Sequence, residues 1–172
     1  TPLEYPAQLT ERLRYAQLLS GRALIELNVT YSHWLGEVLR RFIEDCDAQP
    51  QIIGLHGHTL FHAPHTTKHA PGYTLQLGCG QTIAAYLSAP LVTDFRAQDI
   101  ALGGQGAPLV PAGEQALFPD IQAFLNLGGI ANLGLHPPLT ENKASVIGYD
   151  LAGCNQVLNT LATAHDASLS YD

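Results

Sequence analysis

Ala123-Phe124-Leu125-Asn126-Leu127-Gly128-Gly129-Ile130-Ala131-Asn132-Leu133-Gly134-Leu135 is two short apolar runs joined by a pair of glycines. Such a stretch reads as a tight β-hairpin, because glycine supplies the positive φ that two-residue hairpin turns require. Downstream, residues 144–150 form a third candidate strand ending at Asp150, and Asn155 is a candidate N-cap for a helix running to about Ala164. Strands followed by a helix mark a unit that begins near Asp120 and is small for an independent core.

Upstream of that unit the pattern mixes helices and strands. The first forty-five or so residues read as two helices; in the second, Leu24, Leu27, Tyr31, Trp34, Leu35, Val38, Leu39 and Phe42 recur at three- and four-residue steps, a core-facing stripe. Residues 52–55 are a short strand that runs into a polar loop at His56-Gly57-His58-Thr59. Residues 73–77 alternate as a strand, 81–87 look helical, and 90–93 look like another strand. Residues 94–111 read as a loop-rich span containing Gly103-Gly104-Gln105-Gly106, followed by a short helix at 114–118. The fold class is α/β, with no internal repeat or low-complexity segment.

The chain has 172 residues, 46% of them hydrophobic, and a formal charge of −7. That charge argues against nucleic acid as the main partner, since phosphate backbones call for a basic face. No apolar run reaches the roughly 18 residues of a membrane span and no signal-peptide pattern opens the chain, so a cytoplasmic protein is expected. Cys46, Cys79 and Cys154 are far apart and form no C-x-x-C pair, which points to reduced thiols. Beyond Arg41 the only Lys or Arg residues are Lys68, Arg96 and Lys143. A phosphate bound there must rely on backbone N–H groups, metal ions and Arg96.

Several residues could do chemistry, each with a plainer alternative. His56, His58, His62, His65 and His69 invite a metal reading, but no second ligand cluster closes a tetrahedral site, and exposed loop histidines are the alternative. The glycines at 103, 104 and 106 form no Walker A loop, since no Gly-Lys-Ser or Gly-Lys-Thr follows; they are a ligand loop or an interdomain turn. Gly128 and Gly129 either make a turn or let backbone amides approach a polyphosphate. Asp150, at a strand end before a helix, is either a functional carboxylate or a cap.

In chain order, Gly54-Leu55-His56-Gly57-His58-Thr59-Leu60-Phe61-His62, Val92-Thr93-Asp94-Phe95-Arg96-Ala97-Gln98-Asp99, Gly103-Gly104-Gln105-Gly106-Ala107-Pro108-Leu109-Val110-Pro111, Leu125-Asn126-Leu127-Gly128-Gly129-Ile130-Ala131-Asn132-Leu133 and Gly148-Tyr149-Asp150 closely resemble the anhydro-N-acetylmuramic acid kinases. The likeness covers essentially the whole chain, and the Gly-Gly-Gln-Gly-Ala-Pro-Leu-Val-Pro string is its most specific element. It implies the actin-like (ribonuclease H-like) ATPase fold, with residues 1–119 as most of a first domain and 120–172 as the start of a second. The family's opening strand and Gly-Thr-Ser-type phosphate loop would lie before Thr1, and its adenosine-binding half after Asp172. One local departure is Asp150-Leu151-Ala152-Gly153-Cys154-Asn155, where many relatives have Asp, a small residue, then Gly-Pro-Gly-Asn.

The resemblance also implies an activity: opening of 1,6-anhydro-N-acetylmuramic acid by water, with phosphorylation at O6 from ATP bound with Mg²⁺. It assigns Asp150 as catalytic base and Asn126, Gly128 and Gly129 to the ATP phosphates. His56, His58, Thr59, Arg96 and Gln105 are the expected sugar-side residues, with no dedicated metal ligands. A homodimer is compatible with this reading; nucleic acid and membrane partners are not expected. The rivals are a non-catalytic sugar-binding remnant and a different actin-fold carbohydrate kinase, and the isolated chain is expected to be inactive alone.

Overall fold

The structure, a computed structural model, describes residues 3–64, 71–136 and 146–169. The chain divides into two compact units, Thr1–Gly106 and Ala107–Asp172.

In the first unit, helix α1 (Ala7–Arg14) and a short 3₁₀ turn precede the long helix α2 (Gly21–Asp45), whose first turn is capped by the Ser20 side chain accepting from the Ala23 amide. The expected stripe on α2 is largely the buried face. Leu27 and Tyr31 join Leu9, Leu13, Ala16, Leu60 and Leu77 in the core, with Leu24, Trp34 and Leu35 packed against it. Phe42 departs from the stripe, remaining 55% exposed near the helix end. On the opposite side Glu37 accepts hydrogen bonds from Arg40 and Arg41, which hold its carboxyl down to about 2. Exposed pairs of this kind contribute little stability.

Strand β1 (Ile53–Gly54) pairs in parallel with the later strand at Leu91–Val92, numbered β4 below in chain order. Of the stretch read as a polar loop, His56 and Gly57 lie outside any strand, whereas His58 and Thr59 open strand β2 (His58–Ala63), antiparallel to β3 (Tyr73–Leu77). Its polar residues obscured it: Leu60 alone is buried there, while His62 stays exposed, as one-sided antiparallel strands allow. Between β1 and β2 the chain passes through Leu55, His56 and Gly57, the last at φ +78°. His65 and His69, from the histidine cluster, lie outside the described residues.

Helix α3 (Gly80–Ala84) follows β3, and its start is tied to α2 from two sides. Asn28 Oδ1 accepts from the Gly78 amide and the fully buried Ser32 Oγ accepts from the Cys79 amide, each at 2.7 Å. Past β4 (Leu91–Val92), the span expected as loop holds helix α4 (Phe95–Ala101). It ends where the glycines begin: the Gly103 amide bonds back to Ile100 O and the Gly104 amide to Asp99 O, with Gly103 at φ +93°. That is a Schellman close, in which a left-handed glycine satisfies the last helical carbonyls.

In the second unit helix α5 (Val110–Leu117) starts earlier than expected, with Pro111 in its first turn, where the absent N–H costs nothing. Strands β5 (Ala123–Leu127) and β6 (Ile130–Leu135) have the expected bounds and form the hairpin. Strand β7 (Ile147–Gly153) pairs with β6 and runs through Asp150 instead of ending there. Helix α6 (Asn155–His165) completes the unit. Two expectations about this region are corrected. Neither Gly128 nor Gly129 has a positive φ, so this turn does not use that freedom. Asn155 is the first helical residue and not the cap; the amides of Cys154, Asn155 and Gln156 donate instead to the carbonyls of Gly129, Gly128 and Gly129. Hairpin backbone has taken over the capping, so no side chain is needed for it.

Candidate functional site

Two groups of candidate residues are each brought together, one in each unit. In the first, β1 delivers His56 and α4 delivers Arg96. Arg96 Nε donates to His56 Nε2 at 2.7 Å, while His56 Nδ1 sits 2.9 Å from the Gly57 carbonyl. Both contacts are met by the tautomer protonated on Nδ1, donating to Gly57 and accepting from Arg96. His58 stacks obliquely on Tyr31, with ring centroids 6.2 Å apart, and Thr59 is exposed on β2. Gln105 is also exposed, in the turn after α4, where Asp99 organises the backbone: its carboxylate accepts from the Gly106 amide at 2.7 Å. A side chain at Gly104 would collide with that same carboxylate. The same unit holds an open cavity of about 600 Å³, lined in part by Asn28, Gln76, Gly80, Gln81, Thr93 and Asp94 and by none of the five sugar-side candidates.

Burial lowers the His58 pKa below its ordinary 6.5, and burial with the nearby Arg96 charge does the same to His62. A base whose folded-state pKa is depressed takes up its proton later than the unfolded chain does. Stability is therefore full above 6.5 and declines as pH falls through that value towards the folded pKa. Urea midpoints measured at about pH 7.5 and about pH 5.5 are expected to fall at the lower pH. His58→Gln should flatten that dependence; an unchanged slope would remove His58 as its source.

In the second unit the register of the three strands builds a polar row. Asn126 on β5 lies opposite Asn132 on β6, and Asn132 opposite Asp150 on β7. The carboxylate of Asp150 is exposed and makes no hydrogen bond or ion pair among the described residues. Gly134 and Gly148 continue the same face, and a side chain at either would strike α5 or the residues just before it: Glu114 at 2.6 Å from Gly134, and Pro108, ahead of the helix, and Pro111 at 2.6 and 3.1 Å from Gly148. From α5 the buried Glu114 accepts from Asn126 Nδ2 at 2.9 Å and meets His136 Nε2 at 3.0 Å. At the hairpin tip, Gly128 and Gly129 are exposed.

Asn132, Glu114 and His136 were not among the residues singled out from sequence. Asn132 had only a partial signal: a two-residue turn at Gly128-Gly129 would set Asn126 opposite Ala131, and the observed register is one residue longer, with Leu127 opposite Ala131 and Asn126 opposite Asn132. Glu114 and His136 had none, since their contact joins a helix to the residue just past the end of β6. Among the described residues no three His, Cys, Asp or Glu side chains gather as a metal site, and no helix is long and apolar enough to cross a membrane.

Comparison with known proteins agrees with these motifs. The sequence model described as anhydro-N-acetylmuramic acid kinase matches residues 3–172. Curated proteins of that name are similar: one from Prochlorococcus marinus (strain MIT 9303) is 39% identical over 88% of this chain and 43% of its own length. One from Synechococcus sp. (strain CC9605) is 46% identical over 67% of this chain and 31% of its own. A third, from Photobacterium profundum, is 38% identical over 88% of this chain and 40% of its own. The chain thus spans about two fifths of the length of the curated relatives it matches. With the family match running from residue 3 to residue 172, the chain belongs to the anhydro-N-acetylmuramic acid kinase family.

Proposed function

We propose that this chain forms part of a kinase that uses ATP and water to open and phosphorylate 1,6-anhydro-N-acetylmuramic acid, a reaction of cell-wall recycling. The observation that carries the reading is the row Asn126–Asn132–Asp150 beside the bare Gly128–Gly129 tip. It sets a carboxylate that has no partner among the described residues next to a backbone that a phosphate can approach. A Cβ built on Gly128 would meet nothing nearer than Ile130 O at 3.8 Å, whereas one on Gly129 would meet the Gln156 side chain at 3.2 Å, so the open approach is at Gly128. The residues fit the phosphates of ATP, with Asn126, Gly128 and Gly129 as their contacts and magnesium arriving on the nucleotide.

The anhydro sugar carries an internal ether between C1 and O6. In glycoside hydrolysis a carboxylate base activates water while a second carboxyl group protonates the leaving oxygen. Here Asp150 takes the proton from the water that attacks C1. The C1–O6 bond breaks, and O6 captures the γ-phosphoryl group instead of a proton, so one base suffices. The products are N-acetylmuramic acid 6-phosphate and ADP. His56, His58, Thr59, Arg96 and Gln105 are proposed to hold the sugar, with the Arg96–His56 hydrogen bond setting the guanidinium where it can meet a carboxylate.

The fold we propose is actin-like, with this chain supplying residues 1–119 of a first domain and 120–172 of a second. An antiparallel three-stranded meander leading into a helix supports that reading for the second unit. A cytoplasmic location follows from the use of ATP. Incubating the full-length protein with ATP, Mg²⁺ and the anhydro sugar in isotope-labelled water should yield the 6-phosphate, with label on the C1 hydroxyl by mass spectrometry. Transfer to another sugar in a panel, or sugar binding without turnover, would replace this reading with one of its rivals.

A further inference from the structure

We infer that Glu114 is a positioning residue that fixes the Asn126 amide at the phosphate hairpin, an inference that rests on the hairpin's proposed role. Glu114 is only 7% exposed, yet it is a carboxylate pressed against a β-sheet. Buried carboxylates are costly unless hydrogen bonds meet both oxygens, and here they do: one accepts from Asn126 Nδ2 at 2.9 Å, the other meets His136 Nε2 at 3.0 Å. His136 is itself 5% exposed and is held edge-on to Phe124 at 90°, so the second contact anchors the carboxylate. Gly134 makes the space, since any Cβ there would sit 2.6 Å from Glu114 Oε2.

The chemistry of a carboxylate supplies the direction. It can only accept, so Asn126 must turn its NH₂ group to Glu114, which takes one N–H and leaves the second as a donor for a phosphate oxygen. Among the described residues that is the only side-chain hydrogen bond Asn126 makes. Without Glu114 the amide could rotate and present either end to a ligand. A fixed amide at the foot of the glycine tip binds the magnesium–ATP complex without that ordering cost.

The test is a double-mutant cycle in the full-length protein, read by calorimetric affinity for the magnesium–ATP complex and, separately, for the anhydro sugar. Glu114→Ala and Asn126→Ala are each expected to weaken nucleotide binding about tenfold, the scale of one well-placed hydrogen bond, with sugar affinity held within about twofold. The double variant should be no weaker than Asn126→Ala alone, because Glu114 acts through Asn126. Glu114→Gln should recover part of the loss, since its amide oxygen still accepts from Nδ2. Additive losses, or a Glu114→Ala loss shared equally by both ligands, would reduce Glu114 to a packing role and overturn the inference. Nucleotide affinity unchanged by Glu114→Ala but lowered by Asn126→Ala overturns the inference alone. Affinity unchanged by Asn126→Ala overturns the hairpin's role and the inference with it. Should Glu114→Ala not fold, Glu114→Asp serves in the same cycle, being too short to hold both partners.

Discussion

Asp150→Asn, made in the full-length protein, is expected to lower sugar opening by about 10²–10⁴-fold, the usual contribution of a positioned general base, while nucleotide binding stays close to the parent. The substitution keeps the size of the side chain and removes its basicity. Asp150 is exposed, and its carboxylate supports no other group among the described residues, so its loss should leave the sheet intact. The neighbouring Asn126 and Asn132 are amides and cannot take over proton abstraction. Steady-state turnover and nucleotide affinity measured side by side decide the matter. Turnover within a few-fold of the parent would remove Asp150 from the role of base.

A second large effect is expected in the first unit. Gly57 joins β1 to β2 at φ +78°, and a Cβ there would lie 2.5 Å from the carbonyl oxygen of Leu77 and 3.1 Å from Cβ of Gln76. A valine meets two penalties at once. Left-handed backbone costs a β-branched residue about 1–3 kcal/mol, and overpacking against backbone that cannot swing aside costs about as much again. Gly57→Val should therefore destabilise the unit by about 3 kcal/mol or more, and by separating β2 from β3 it should also disturb His56 and His58. Equilibrium unfolding in urea gives the number; a change below about 0.5 kcal/mol, typical of a surface substitution, would show that the turn adapts.

These two sites were unequally legible in the sequence. Asp150 and Asn126 stand out because each is a polar residue in an apolar run, and the bounds read for β3, β5 and β6 match the structure, although only β5 alternates strictly in burial. Strand β2 was hidden because His58, Thr59 and His62 spoil its apolar pattern, and only its pairing with β3 and the packing of Leu60 into the core explain it. Helix α4 was hidden by the glycines after it, which read as a loop although they are the helix's own stop signal. The Glu114–His136 contact joins residues 22 apart in sequence and depends on how α5 lies on the sheet, which no local pattern records.

The capping of α6 by the hairpin has a mechanical consequence. Three consecutive amides at the start of that helix are fastened to two consecutive carbonyls at the hairpin tip, so tip and helix turn together as a lever with a short input arm and a long output arm. The helix has 11 residues, a length of ~16 Å at the usual rise, so a tilt of about 10° imposed at the tip swings the far end, at His165, by ~3 Å. A spectroscopic label at that end would report, through distance alone, whether anything has settled on the glycines.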